Sequence, residues 1–184
     1  METIKFEIES AGSKIDWTGR KVTGAHNGTI GIKEGNFIVK DGKIIGGKVV
    51  INTASIKILD ITDQAANDQF AGHLASDDFF STEKFPTASF DILSVQEVSG
   101  STYYLEGNLT IKNITHPAGF EAKVTTNGDA IALTGKLVID RTKYDIKFRS
   151  GNFFVDLGDT LIYNDFDLDF TITAEATFSE TTKN

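Results

Sequence analysis

Apolar and polar residues alternate with a period of two along most of this chain. Ile4, Phe6 and Ile8 alternate with polar residues near its start, and Ile15 and Trp17 do so in the next segment. Successive side chains of a β-strand point to opposite faces of a sheet. Each of these segments therefore predicts a strand with one buried face.

Segment 29–51 predicts two β-hairpins in succession. Asp41–Gly42 is a strong hairpin signal, because both central residues of a type I′ turn need a positive φ. Glu34–Asn36, with a central glycine, predicts a second turn in the same segment.

The same alternation recurs in the second half of the chain. It predicts strands at Ala88–Val98, Thr102–Lys112, Ala118–Thr125, Ala130–Asp140 and Asp167–Phe178. Glycines interrupt the strand patterns at Gly31, Gly47, Gly107 and Gly135. About eight to ten strands are then expected, as in a sandwich or a barrel. An apolar face on nearly every strand, with glycines that permit sharp bends, favours the barrel.

We therefore predict a mainly β fold, an antiparallel eight-stranded β-barrel with one short helix beside it. The helix is expected at Thr62–Ser76, where Asp63 is a suitable N-cap and Phe70 and Leu74 share a face at helical spacing. A barrel of eight strands is either filled by its own side chains or holds one small ligand.

Four phenylalanines crowd the junction between this helix and the next strand. They are Phe79, Phe80, Phe85 and Phe90. Exposed phenylalanine is unfavourable, and a filled barrel core does not require such a cluster. We predict that these residues form the wall or the rim of an apolar cavity.

Composition and charge narrow the class of protein. A chain of 184 residues without a linker-like stretch is expected to form a single domain, 1–184. Its formal net charge of −8 disfavours nucleic acid and anionic membranes as main partners. The chain has no cysteine, which excludes disulfides and a thiol nucleophile. Neither composition nor charge decides between a monomer and a homodimer.

The sequence also bears on membranes and compartment. No segment approaches the roughly 20 apolar residues of a membrane span, so we expect no stable membrane insertion. We expect a periplasmic protein if a leader was removed, and otherwise a cytoplasmic one.

Residues suited to catalysis or metal binding are few. His26, His73 and His116 lack any metal-ligand spacing, so no metal site is predicted. His26 and His73 could meet at the barrel mouth and bind a ligand headgroup, or be purely structural. Arg141 could pair with Asp140, or its planar guanidinium could meet a phosphate or quinone oxygen.

The connection Gly151–Leu161 carries two adjacent phenylalanines between glycines. Phe153, Phe154 and Leu157 are expected to form a lid over one end of the barrel.

Five groups of residues, in one order along the chain, resemble the YceI-like bacterial family. They are Trp17–Gly19 with Thr23–Gly28; Gly47–Ile51; His73-Leu74 with Asp78–Phe80 and Phe85–Phe90; Gly107–Pro117; and Ile139–Tyr144. This resemblance implies a lipocalin-like antiparallel β-barrel, with a helix beside it, that holds a long apolar ligand such as a polyisoprenoid or an isoprenoid quinone.

The resulting interpretation is non-catalytic binding or transport of a long apolar lipid in the barrel interior. No cofactor is expected, although an isoprenoid or fatty lipid could co-purify. The predicted ligand-binding residues are Trp17, Phe79, Phe80, Phe85, Phe90, Leu105, Leu109, Ile111, Phe120, Phe154 and Phe170, with headgroup contacts at His26, His73 and Arg141. Two alternatives stay open: an enzyme of isoprenoid or quinone handling, and a filled barrel that acts in protein interaction.

Overall fold

The chain forms a closed antiparallel β-barrel with one helix against one end. The computed structural model describes residues 3–151 and 153–177. Its strands are β1 (Thr3–Ile8), β2 (Lys14–Lys21), β3 (Gly24–Lys40), β4 (Lys43–Ile58), β5 (Thr87–Ser99), β6 (Thr102–Ile111), β7 (Ile114–Asn127), β8 (Ala130–Asp140) and β9 (Ile162–Ala176). The helix α1 spans Gln64–Ala75, and short 3₁₀ turns lie at Arg141–Tyr144 and Gly158–Thr160.

Strands β1 and β2 share one position in the barrel wall. β1 pairs with residues 36–40 of β3, and β2 pairs with residues 24–30 of the same strand. Both also pair with β9 on their other side. These nine strands therefore fill eight positions, and the pairing of β3 with β4 closes the circle. The predicted eight-stranded antiparallel barrel is confirmed.

Strands β3 and β4 form one long hairpin, where the sequence pattern predicted two. Asp41 and Gly42 occupy its turn with φ of 53° and 78°, as the type I′ signal requires. The second predicted turn, at Glu34–Asn36, was wrong because this tripeptide lies inside β3.

Gly35 has a packing role in place of the turn role that we expected. A Cβ at this position would lie 2.7 Å from Cδ1 of Ile8 and 3.1 Å from Cα of Val49. Only glycine lets β3 pass this close to its neighbours, which is the other common reason for a glycine inside a strand.

Helix α1 has the N-cap that its sequence predicted. The Asp63 carboxylate accepts a hydrogen bond from the backbone N–H of Ala66 at 2.9 Å. The Asn67 side-chain amide donates to the carbonyls of Ile58 and Ile61 at 2.9 and 3.0 Å, so it ties the first turn of the helix to the end of β4.

Inward-facing residues pack densely in the interior of one half of the barrel. This filled half lies toward the β3–β4, β5–β6 and β7–β8 turns. Its residues Phe37, Leu105 and Ala174 are fully buried, and Leu133 is 2% exposed. The opposite half, toward α1 and the β6–β7 turn, is here called the hollow half.

Candidate functional site

An apolar cavity of about 330 Å³ lies in the hollow half, beneath α1. Inward-facing side chains of seven strands line it. They are Ile15 and Trp17 of β2; Ile30 of β3; Ile51 and Ile56 of β4; Ala88 of β5; Leu109 and Ile111 of β6; Ile139 of β8; and Ile162, Phe166 and Leu168 of β9. This volume lies within the range of small-molecule sites, about 300–1,000 Å³.

Aromatic rings cover the cavity where the helix meets the segment 145–150. The ring centroids of His73 and Phe148 are 4.8 Å apart, and those of Phe79 and Phe148 are 5.6 Å apart. His73 and Phe79 pack edge to face at 5.0 Å. Phe80 contacts Phe166 of β9 at 6.1 Å. The cover is therefore held to the barrel by ring contacts.

Trp17, the single tryptophan of the chain, forms part of the cavity wall. Its indole N–H donates to the carbonyl of Lys57 at 3.2 Å. The ring lies over Gly28 of β3, where a Cβ would come within 2.7 Å of Cζ2 of the indole. The glycine thus makes the room that places this ring in the wall.

Two histidine–aspartate pairs lie at α1, one between β3 and the segment before the helix and one between the last turn of the helix and the segment after it. Nδ1 of His26 is 2.7 Å from the Asp60 carboxylate, and Nε2 of His73 is 3.0 Å from that of Asp78. Both histidines line the cavity, while their meeting and their contact with a ligand headgroup stay predictions. Burial alone would raise the pKa of Asp60, but hydrogen bonds from His26 and from the backbone of Asn27 outweigh it and hold the pKa below its usual value.

Arg141 lies at the cavity margin with 4% exposure. Its guanidinium donates to three backbone carbonyls, those of Tyr163, Ile146 and Ile162, at 3.1, 2.8 and 3.0 Å. Burial lowers the pKa of Arg141 to about 10, against the opposing effect of Asp140, so the group stays charged at neutral pH.

The predicted Arg141–Asp140 hydrogen bond was wrong. The Asp140 carboxylate instead accepts from the backbone N–H and the hydroxyl of Thr142, at 3.0 and 2.6 Å, and so caps the 3₁₀ turn. Arg141 holds the start of β9 against the segment that follows this turn.

Three predicted ligand-binding phenylalanines are absent from the cavity lining and pack together behind it, as a layer here called the floor. Phe120 contacts Phe90 at 5.4 Å and Phe170 at 5.2 Å, so the three rings cross the barrel from β5 through β7 to β9. Gly107 and Gly135 make room for them: an added Cβ at either position would lie 2.9 Å from a phenylalanine ring atom. The space at Gly107 is thus already occupied by the Phe90 ring.

Of the remaining predicted residues, some line the cavity and some lie elsewhere. Trp17, Phe79, Phe80, Leu109 and Ile111 are in the lining, together with His26, His73 and Arg141. Leu105 is fully buried in the filled half, and Phe85 is half-buried outside the lining.

The prediction that Gly151–Leu161 forms a lid over the barrel end was wrong. Phe153 and Phe154 are 51% and 47% exposed and are absent from the cavity lining. The Phe153 ring instead stacks beneath the Lys147 ammonium at 4.8 Å. Asn152 lies outside the described residues.

Sequence reasoning missed the ring that takes this role. Phe148 covers the cavity together with Ile146, which is fully buried. The alternation Ile146-Lys147-Phe148 is the available signal, but it is too short to predict an element.

Sequence comparison shows that the chain belongs to the YceI-like domain family, whose model matches residues 6–174. It is similar to Protein YceI of Escherichia coli O157:H7, with 36% identity over 110 residues, 60% of this chain and 53% of that protein. Protein YceI of Salmonella newport shows the same identity and coverage. The chain thus spans about half the length of these curated relatives.

Solved structures share the fold. Burkholderia cenocepacia BcnA superposes with a TM-score of 0.68 and 22% identity, over 91% of this chain and 99% of BcnA. A polyisoprenoid binding domain from Saccharophagus degradans, implicated in plant cell wall breakdown, superposes with a TM-score of 0.65 and 15% identity, over 94% and 98%. At these identities the likeness concerns the fold.

Two further features bound the chemistry of the site. Within residues 3–151 and 153–177, no three histidine or acidic side chains are grouped so that they could hold a metal ion. Across that same part of the chain, α1 included, no helix has the length and apolar character needed to cross a membrane.

Proposed function

We propose that this protein binds the hydrocarbon chain of an apolar lipid, of isoprenoid type, in the hollow half of its barrel and carries it without catalysis. The observation that carries this proposal is the cavity of about 330 Å³, whose strand wall is mainly apolar. Membership of the YceI-like domain family and the polyisoprenoid binding domain among the structural neighbours support the isoprenoid class.

The cavity volume limits how much of a lipid it can enclose. A methylene group occupies about as much space as a water molecule, ~30 Å³, so roughly ten carbons fit. Burying them contributes about 8 kcal/mol before the cost of ordering the chain. Because the ordering cost is subtracted from this value, about 1 μM, which corresponds to a net of about 8 kcal/mol, is the lowest dissociation constant expected. A longer isoprenoid must extend beyond the cavity or displace the Phe90–Phe120–Phe170 floor.

The polar groups at the cavity support binding over chemistry. His26 and His73 each hydrogen-bond one carboxylate. Among the residues that the structure describes, no serine or threonine hydroxyl hydrogen-bonds to either imidazole ring, so no hydroxyl nucleophile is paired with a base there.

Extraction and titration test the proposal together. Mass spectrometry of an organic extract of the purified protein is expected to show a co-purified apolar lipid. Geranylgeraniol, a C20 isoprenoid alcohol, is expected to change the fluorescence of Trp17 in a saturable way with a dissociation constant in the micromolar range.

A cavity-filling variant sharpens this test. Ala88→Phe adds a ring inside the lining and is expected to abolish the titration while the fold is kept. Ala54→Phe adds the same ring at an exposed position of β4 and serves as the matched control. If geranylgeraniol binds Ala88→Phe as well as it binds the parent protein, the cavity is not the site and the proposal fails.

A further inference from the structure

All three arginines of this chain border the cavity. Of its 18 lysines and arginines only three are arginines, and all three, Arg20, Arg141 and Arg149, are lining residues. They come from β2, the 3₁₀ turn after β8, and the segment that follows this turn. The chain as a whole carries a net charge of −8, so this placement opposes its general electrostatic character.

The fold places three cationic residues next to one residue at the cavity margin, Ile162, two of them through backbone contacts. Lys21 is its Cα partner across the β2–β9 ladder. The guanidinium of Arg141 donates to the carbonyl of Ile162 at 3.0 Å, and the N–H of Ile162 donates to the backbone carbonyl of Arg149 at 2.9 Å. Lys21, Arg141 and Arg149 are here called the basic rim.

Among the described residues the basic rim forms no ion pair, which sets it apart from Arg20; the Asp140 charge acts on Arg141 only from beyond ion-pair distance. Arg20 is 2.9 Å from the Asp167 carboxylate on the outer face of the barrel. For the basic rim, no carboxylate of residues 3–151 or 153–177 lies within 4.0 Å of a cationic nitrogen. Asp165 is the one carboxylate residue in the lining, and it forms no such pair.

The two arginines of the basic rim also have N–H groups that can donate further hydrogen bonds. A guanidinium has five N–H groups, and Arg141 uses three of them on backbone carbonyls. Arg149 is exposed, and its guanidinium stacks on the Phe148 ring at 4.9 Å; within residues 3–151 and 153–177 no acceptor is hydrogen-bonded to its N–H groups. Its backbone is held at a φ of 51°, a conformation that favours glycine.

We propose that the basic rim binds an oxyanion headgroup, a phosphate or a carboxylate, of the lipid whose chain occupies the cavity. Guanidinium and ammonium groups form short, charge-assisted hydrogen bonds with such oxygens, and arginine can do so with two at once. A neutral headgroup could accept hydrogen bonds but would not compensate the charge of Arg141. The ligand is then an anionic amphiphile and not a neutral quinone. This inference rests on the proposed function, because the rim adjoins the lipid cavity.

Probes with matched tails separate the headgroup from the chain. Trp17 fluorescence is titrated with geranylgeranyl phosphate against geranylgeraniol, and with palmitate against hexadecanol. We expect the anion of at least one pair to bind about tenfold more tightly than its alcohol. Its affinity should fall as salt is raised, while that of the alcohol should not. The pair with the larger ratio identifies phosphate or carboxylate.

Substitutions in the basic rim test whether the preference for the anion arises there. Lys21→Met and Arg149→Met are expected to weaken anion binding about tenfold each and to leave alcohol binding unchanged. Lys147→Met removes a charge from the same segment outside the lining and is expected to change neither. Arg141 is left intact because its three carbonyl contacts support the fold.

The outcomes distinguish the two proposals. Equal binding of anion and alcohol in both pairs overturns the headgroup inference and leaves lipid binding intact. The inference is also overturned if Lys147→Met weakens anion binding as much as Arg149→Met does. The weaker binding would then follow from the lower positive charge of the protein and not from a contact at the basic rim. If no probe binds, the proposed function itself is wrong.

Discussion

The two halves of the barrel are built from the same strands, yet they use their inward positions differently. In β6, Leu105 is fully buried, while Leu109, four residues later, is 7% exposed and borders the cavity. In β9, Ala174 is fully buried, whereas Leu168 is only partly buried and lines the void. The rings of Phe90, Phe120 and Phe170 separate the two regions.

The ends are also closed in different ways. Tight turns such as Asp41–Gly42 close the filled half. Helix α1 and the segment 145–150 close the hollow half, through polar anchors such as the three carbonyl contacts of Arg141 and the two of Asn67. An empty void forfeits dispersion contacts that a filled core would have. Stability is thus expected to come mainly from the filled half, and ligand capacity from the other.

The largest expected effect contrasts two leucines of one strand. Leu105→Ala should lower the free energy of unfolding by about 4 kcal/mol, because it creates a new cavity in a dense core. Leu109→Ala should cost about 2 kcal/mol, mainly the lost burial of its side chain, because it enlarges a void that already exists. Urea unfolding of both variants, extracted free of lipid, measures the difference.

Added lipid provides a second comparison of the two leucine variants. Geranylgeraniol at saturation should stabilise the parent protein and Leu105→Ala to the same extent, since a ligand that binds only the folded state adds stability according to its affinity. The stabilisation of Leu109→Ala should differ. Equal costs for the two leucines would mean that the hollow half packs as tightly as the filled half, against the contrast drawn above.

Sequence patterns predicted the fold well because its determinants are local. Alternation in the strands, the turn signal at Asp41–Gly42 and the cap at Asp63 act over a few residues, and each appears where it was predicted. The turn expected at Glu34–Asn36 failed for the opposite reason. The role of Gly35 depends on Ile8 and Val49, which only the tertiary structure brings near.

The site was only partly predictable for the same reason. Parity along a strand identifies inward residues, but it does not separate those that face a void from those that face another ring. Leu105, Phe120 and Phe170 therefore belonged to the predicted set although they fill the barrel. In the basic rim, Arg141 was a predicted headgroup contact, but Lys21 and Arg149 were missed because they are distant in sequence and meet only at Ile162.

A smaller effect is expected from two glycines that face the barrel interior. Gly107→Ala should destabilise the protein by about 3 kcal/mol, because the new Cβ would overlap the Asp91 backbone and approach the Phe90 ring. Gly19→Ala should be neutral or stabilising by up to about 1 kcal/mol, because Gly19 lines the cavity and nothing lies within 4 Å of its added Cβ. Thermal unfolding compares them, and a large loss in Gly19→Ala would show that the wall of the cavity has no spare room.

The smallest effect is expected from the ion pairs of Asp167 on the outer face of the hollow half. The Asp167 carboxylate, whose side chain is 9% exposed, lies 2.9 Å from the Arg20 guanidinium and 3.3 Å from the Lys136 ammonium. Burial alone would raise the pKa of Asp167, but hydrogen bonds from these two cations outweigh it and hold the pKa below its usual value. A carboxyl group with a lowered pKa stabilises the fold above its unfolded-state pKa of about 3.9, and this contribution is lost as the pH falls through the lower folded value.

Asp167→Asn should therefore reduce the free energy of unfolding by about 1 kcal/mol at pH 7. The gap to the parent protein should stay constant down to about pH 5 and shrink below about pH 4. Asp169→Asn, at an exposed position of the same strand, is the matched control and should have little effect at any pH. Urea unfolding at pH 7, 5 and 3 measures these differences. Because Asp167 faces outward while its neighbours Phe166 and Leu168 line the cavity, lipid affinity at pH 7 should be unchanged, and a loss of affinity would show that the outer ion pairs set the shape of the cavity.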